Sequence, residues 1–278
     1  MKILTELITD KTKIMDLNEE EIFNYKKGNI IDITSSKLEY YCSKMYYKNG
    51  IWYYAKKDLD YKKYPYTIPE ELMGTYLSNE LNLKTIKYEI ARINEEYVIV
   101  SKNFKNKKNT YYTFNDLVDI DINDNIDILK IFTSKENYEV LLDQILKLLA
   151  LDTYMLQQDR CNVNLQFVQN NQTKEILLAP IYDYANTLIA PIDAYLTKNI
   201  LKKITKQNII ELIKKYPKYQ EYLNILLDKN MKQIWEKICI DYKLNMNCYT
   251  YDMVSNYYEL KDENQKKYMK QLIKDIHL

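Results

Sequence analysis

The sequence predicts an α+β fold in two lobes, a β-rich N-terminal lobe carrying one helix and a mainly helical C-terminal lobe. Strand-like runs and hairpin signals crowd its first third. A polar stretch rich in Lys, Asn and Asp (105–125) follows, as a linker or loop would. Beyond it, apolar residues recur at helical spacing. We place the lobes at 1–104 and 105–278.

In chain order, IIDIT (Ile30–Thr34) alternates weakly, as a strand does. KMYYKNGIWYYAKK (Lys44–Lys57) is two β-rich runs around an Asn-Gly turn, a strong hairpin signal. Its aromatic cluster of Tyr40, Tyr41, Tyr46, Tyr47, Trp52, Tyr53 and Tyr54 reads as core and cross-strand pairs. In TIPEELMGTYLSNELNL, Pro69 at the first helical position with Glu70 and Glu71 marks a helix start. Leu72, Met73, Tyr76, Leu77 and Leu81 form its apolar stripe. KYEIARI and EYVIVSKNF give two further strands.

In the second lobe, Tyr138–Gln158 repeats Leu141, Leu142, Ile145, Leu148, Leu149 and Leu156 as a helix. Asn164–Asp183 reads as a hairpin turning at Asn170-Asn171. Thr197–Leu278 is helical by pattern, with segments at Ile204–Lys215, Gln220–Leu227, Met231–Cys239 and Gln265–Ile276.

Composition excludes several classes. Net charge is +1 over 278 residues, so charge does not suggest a nucleic-acid partner. No run of about eighteen apolar residues suggests a membrane span. The start, MKILTELITDKTK, is broken by Glu6 and Asp10 and is no signal peptide. Cys42, Cys161, Cys239 and Cys248 are scattered, and His277 is the single histidine. A zinc site, a histidine triad and an oxidising compartment are therefore not expected, and the default setting is cytoplasmic. The three glycines, Gly28, Gly50 and Gly74, are too far apart for a glycine-rich phosphate loop.

LQQDRCNVNLQF (Leu156–Phe167) follows the long helix and carries the chemistry. Asp159, Asn164 and Asp183 together make a hard, oxygen-only set that suits Mg²⁺ and leaves room for phosphate oxygens. Asn164 enters the hairpin and Asp183 leaves it, so both lie at one mouth. Singly, each reads as a cap or turn residue; in the order base, metal amide, metal carboxylate they match phosphoryl transfer. Lys56 or Lys57 ends a strand and Glu71 opens the only helix of its lobe, as a phosphate-anchoring lysine and its ion-pairing glutamate would.

LALDTYMLQQDRCNVNLQF followed by LLAPIYDYANTL resembles the HipA family of bacterial serine/threonine kinases, particularly its short C-terminal-domain-type members. Asp152, Asp159, Arg160 and Asn164 match the family's D-x-x-x-x-N-x-D-R-H-x-x-N pattern, and Ala179, Pro180, Tyr182 and Asp183 match APxYD. The resemblance extends over Ser35–Leu188 and implies a two-lobed, protein-kinase-like fold using ATP and Mg²⁺. It implies Asp159 as catalytic base, Asn164 and Asp183 as metal ligands, Lys56 as anchoring lysine with Lys57 as alternative, and Glu71 as its partner. Val100–Phe104, with Lys102 and Phe104, falls where the family's chain passes between lobes and binds adenine. Ser43 and Lys44 fall at its phosphate loop, although Lys44 also reads as a solvated hairpin lysine.

Two positions depart from the pattern: Cys161 replaces the histidine, and Gln157 the asparagine. Arg160 either orients the loop or makes a surface salt bridge, and Asp152 supports the loop from the buried helix face through backbone amides. The implied function is phosphoryl transfer to a Ser or Thr hydroxyl of a protein substrate. Autophosphorylation at Ser35, Ser36 or Ser43 and a cognate antitoxin-like partner belong to the same expectation. The alternatives are a nucleotide-binding pseudokinase or interaction module, and transfer to a small-molecule hydroxyl. Neither direct nucleic-acid nor membrane binding is expected.

Overall fold

A computed structural model describes residues 3–17, 43–56, 66–93, 95–113, 135–157, 159–160, 164–185, 187–188, 197–199, 203–204 and 206–276. Of residues 43–47, 159 and some others the backbone alone is described. The expected strand Ile30–Thr34, together with Tyr40, Tyr41, Ser35, Ser36, Lys57, Cys161 and His277, lies outside the described residues.

The N-terminal lobe is built on β1 (Ile14–Leu17), β2 (Ser43–Lys48), β3 (Ile51–Lys56), β4 (Tyr88–Ile93) and β5 (Glu96–Lys102). They form one sheet in the order β1-β4-β5-β3-β2. The predicted hairpin is present: β2 and β3 are antiparallel, with Lys48 opposite Ile51 across Asn49-Gly50. Both turn residues have positive φ, 51° and 79°, the conformation that Asn-Gly favours.

Side chains alternate across these strands. Tyr53, Ala55, Val98, Val100, Ala91 and Ile93 form a small apolar cluster on one face. Ile90 and Ile99 point the other way, into the main core. Lys56, next in phase to Ala55, therefore projects toward the helix on that second face.

That helix is α2 (Thr67–Glu80), preceded in the chain by the short α1 (Ile3–Leu7). Pro69 is its third residue, two later than the sequence suggests. The helix is buried almost all round, Glu70, Glu71 and Ser78 included, because other helices cover the sides that the sheet leaves open. A helix in that position must satisfy its polar side chains internally, and its two glutamates do so as described below.

The stretch predicted as a polar linker contains β6 (Asn109–Thr113), which pairs antiparallel with β8 (Gln166–Asn170); β8 then pairs with β9 (Ile176–Leu178). The β8–β9 turn covers 171–175 with Lys174 at φ 61°, longer than an Asn-Asn turn. The long helix, α3 (Lys135–Met155), ends at Leu156 in a left-handed conformation, φ 58°, and hands over to β7 (Asp159–Arg160).

The region predicted as wholly helical from Thr197 holds two short strands first, β10 (Thr197–Asn199) and β11 (Lys203–Ile204). β10 lies parallel to β7 and antiparallel to β11. Helices α4 (Lys206–Lys215), α5 (Pro217–Leu227), α6 (Met231–Tyr242) and α7 (Tyr249–Ile276) complete the chain. α7 is much longer than the predicted Gln265–Ile276. Among the described residues, no helix is long and apolar enough to cross a membrane.

Candidate active site

Four of the expected residues, Lys56, Glu71, Asn164 and Asp183, come together where α2, the end of β3 and the segment after β9 meet. The Lys56 ammonium donates to Glu71 Oε1 and lies 2.5 Å from Asp183 Oδ1, so the strand residue answers both carboxylates. Lys56 is thus paired with Glu71, while its alternative Lys57 lies outside the described residues. Asp183 is the hub: its other oxygen accepts from Asn164 Nδ2 at 2.9 Å.

Glu71 is buried and held from four directions. Besides Lys56, it accepts from Tyr88 Oη at 2.7 Å and from the backbone N–H groups of Tyr184 and Ala185, each at 3.1 Å. One carboxylate thus binds β3, β4 and the Asp183 segment together. Burial pushes the Tyr88 hydroxyl well above its ordinary pKa, and the neighbouring Glu71 adds to this, so Tyr88 stays a proton donor.

Burial opposes charge on both Lys56 and Asp183, but their mutual attraction prevails. Asp183 and Glu71 hold the Lys56 ammonium above its usual pKa. Lys56 and Asn164 hold the Asp183 carboxyl below its usual range. Asp183 keeps 39% of its side-chain surface open, so it offers an exposed anionic edge.

The backbone of Asp183 is left-handed, φ 62°, and the chain around it is bound tightly. Arg160 is fully buried, not a surface residue, and forks onto Asp152 through Nε at 3.1 Å and Nη2 at 2.9 Å. Its Nη1 donates to Tyr182 O at 2.7 Å. Arg160 therefore ties the turn out of α3 to the residue before Asp183, and this is the loop-orienting alternative. Asp152 does sit on the buried face, as expected, with the Arg160 guanidinium as a partner.

Gln157 has a comparable task. Its amide donates to Asp183 O at 3.1 Å and to Ala185 O at 3.0 Å. The departure from the asparagine of the resembled pattern is thus accommodated by backbone contacts to the Asp183 segment. Tyr184 packs its ring against Gly74 of α2, where any Cβ would overlap it, and its hydroxyl bonds Ser78 and Thr85, each at 2.7 Å. Nothing in the local sequence marks Tyr88 or Tyr184 as partners of the site, because their contacts come from distant segments, whereas Gln157 stands at a position of the resembled pattern. The one usable signal is the glycine in a helix otherwise free of it.

Of Asp159, Ser43 and Lys44 the structure gives backbone placement alone: Asp159 opposite Lys198 in β7, and Ser43 opposite Lys56 in β2. Lys102 is exposed and 4.0 Å from Glu89, away from the Lys56 cluster's bonds. Phe104 is partly buried, with its ring 6.0 Å from that of Tyr182, the neighbour of Asp183. Asn103 N–H donates to Trp52 O at 2.8 Å, extending the β5–β3 pairing to the edge of this segment.

Among the described residues, no group of three or more His, Cys, Asp or Glu is arranged to hold a metal ion. A metal bound at Asp183 and Asn164 would have few protein ligands and complete its shell with water or phosphate oxygens. That suits Mg²⁺, which is held by one or two carboxylates plus phosphate in such sites. Asp183 uses one lone pair of each oxygen for Lys56 and Asn164, and a carboxylate has about four lone-pair sites.

No protein-family model matches the chain, and no curated protein matches it. Among solved structures it is similar to the Helicobacter pylori proinflammatory kinase CtkA, at 16% identity over 81% of this chain and 90% of that one, with a TM-score of 0.60. It is also similar to a chain of the Shewanella oneidensis MR-1 toxin–antitoxin complex of HipA, HipB and operator DNA. There the identity is 9%, the coverage 98% of this chain and 75% of that one, and the TM-score 0.59. The likeness is one of fold: the chain has the mixed α+β, kinase-like architecture of HipA and CtkA.

Proposed function

We propose that this chain is an ATP- and Mg²⁺-dependent phosphotransferase that acts on a serine or threonine hydroxyl of a protein. The observation that supports it most is the meeting of Lys56, Glu71, Asp183 and Asn164 from four separate stretches of chain. A strand lysine paired with a helix glutamate is of use where a phosphate must be anchored, and a carboxylate beside an amide where its metal must be held. Both halves share one hub here, on a fold similar to two kinase-like structures.

When bound, Mg²⁺-ATP supplies the γ-phosphoryl group and the charge that neutralises it. The protein's own work is positioning and electrostatics. Glu71, fixed by Tyr88 and two backbone N–H groups, keeps the Lys56 ammonium aimed at the phosphates. Asp183 and Asn164 hold the metal, and Gln157 and Arg160 fix the backbone that carries Asp183. Asp159 accepts the proton of the attacking hydroxyl. The solved HipA chain comes from a complex with HipB, which supports a cognate antitoxin-like partner for this protein, and a cytoplasmic setting belongs to the same proposal.

The test is transfer of labelled γ-phosphate to the protein itself or to added protein, with wild type, Asp159→Ala and Asp183→Asn. Wild type is expected to transfer, and loss of the base is expected to slow it by about 10²–10⁴. Mg²⁺-ATP binding by wild type without transfer would replace this reading with the pseudokinase; neither binding nor transfer would end both.

A further inference from the structure

Behind the ion-paired site lies a second buried polar cluster that phosphoryl transfer does not itself use. Glu70, beside Glu71 in α2, is fully buried. It accepts from Tyr257 Oη at 2.5 Å, from the Thr187 hydroxyl, and from Thr187 N–H at 3.3 Å. Lys261, one turn beyond Tyr257 in α7, is 1% exposed. Its ammonium lies 3.4 Å from Glu70 Oε1, donates to Thr187 Oγ1, and reaches Tyr257 Oη at 3.3 Å. The Thr187 hydroxyl therefore relays, accepting from Lys261 and donating to Glu70.

A buried ammonium is costly unless it is paired and hydrogen-bonded. Burial pushes Lys261 below its ordinary pKa, and Glu70 opposes that shift. The elements that this charge joins are those that carry the site. α2 supplies Glu71. Thr187 follows Asp183 by four residues and bridges Gln157, while Leu188 N–H donates to Leu156 O at 3.1 Å on the approach to Asp159. Further along α7, Gln265 donates to Thr153 O and Asp262 accepts from Tyr154 Oη, both at 2.8 Å, gripping the last turns of α3.

We propose that Lys261 is a positioning residue, which through Glu70 and Thr187 sets α2 and the Asp183 segment so that Lys56, Glu71 and Asp183 meet. Its consequence for turnover rests on the phosphotransferase reading, but the positioning itself is readable on Lys56. A Lys56 amine clasped between Glu71 and Asp183 is a poor target for acylation, because a reagent must first displace both carboxylates.

At pH 8, Lys261→Met is expected to raise the acylation of Lys56 several-fold, followed by peptide mass spectrometry, because a displaced α2 opens the clasp that Glu71 and Asp183 make around it. Lys261→Met combined with Glu70→Gln leaves no lone buried charge, and Lys56 acylation is expected to stay raised because the links from α7 are still missing; restored protection would overturn the positioning role. Thr187→Val, which removes the relaying hydroxyl, should move Lys56 in the same direction as Lys261→Met, and it carries the test if that variant does not fold. Leu272→Ala loosens α7 without touching Glu70 and serves as the control at a temperature of equal melting margin. Unchanged Lys56 acylation in the folded variants, or an equal rise in Leu272→Ala, overturns the proposal. Wild type that neither binds nor uses Mg²⁺-ATP sinks the phosphotransferase reading instead and leaves the Lys56 result to decide Lys261.

Discussion

Asp183 combines a left-handed backbone, φ 62°, with a carboxylate answered by Lys56 and Asn164. Asp and Asn tolerate that conformation better than other side chains with a Cβ, so Asp183→Asn removes the charge while keeping the backbone. The charge has a defined pH window. The folded Asp183 pKa is depressed, so its contribution is fully present above the unfolded value of about 3.9 and is lost as pH falls through the lower folded value. The folded Lys56 pKa is raised, so its contribution is fully present below about 10.4 and is lost as pH rises through the higher folded value. The stability difference between wild type and Asp183→Asn, from denaturant melts, should be flat from about pH 5 to 10 and shrink below about pH 4. A difference that grows on acidification would contradict the ion-paired hub. At this scale the sequence reading paired Lys56 or Lys57 with Glu71 but did not name the other groups that hold Glu71, the Tyr88 hydroxyl and two backbone N–H groups. Lys56 and Lys57 are equivalent on paper; the alternation that sends Ala55 to the outer cluster and Lys56 to Glu71 appears only with the sheet.

At the scale of elements, the turn out of α3 is fixed by one buried ion pair. Arg160 and Asp152 are 0% and 1% exposed, and the guanidinium also carries Tyr182 O. Removing one partner of such a pair leaves a buried charge, which costs about 3–5 kcal/mol. Arg160→Met should destabilise the protein by that order in urea melts, and Asp152→Asn added to it should recover part of the loss. Additive losses would show that the two residues act separately. Burial already pushes the Asp152 carboxyl up, with Arg160 opposing, so the single variant is expected to protonate Asp152 in compensation. Among the elements that the sequence hides, β6 and β10 are short and pair with strands far along the chain, as Tyr111 opposite Val168 does, and the two-residue β11 pairs with β10. The first half of α7 hides for a different reason. Its tyrosines and buried Lys261 and Asp262 blur the apolar stripe, and they are polar because they serve α2 and α3.

For the whole molecule, the two lobes are fastened at several points outside the site. Tyr242 Oη donates to Tyr88 O at 2.8 Å, Tyr76 Oη to Asp241 at 2.7 Å, and Asn245 N–H to Leu7 O at 2.7 Å. Thr9 and Thr12 both donate to Lys243 O at 2.8 Å, so the N-terminal segment is seated on the helical lobe before its chain enters the β-sheet. A ligand that bridges Lys56 and Asp183 therefore binds surfaces that exist together only in the folded chain, and its binding energy adds to stability. At about 100 times its dissociation constant, Mg²⁺-ATP would add about 2.7 kcal/mol, which for a chain of this size raises the melting temperature by about 5–8 °C. The rise should be largest with nucleotide and metal together: EDTA should reduce it, and Asp183→Asn should reduce it in the presence of Mg²⁺. Lys56→Met should reduce it with or without the metal, because the anchoring cation acts on the phosphates directly. If Asp183→Asn kept the full Mg²⁺-dependent shift, the metal would have to be held elsewhere, and the Lys56–Asp183–Asn164 cluster would be a structural clasp between lobes instead of a nucleotide site.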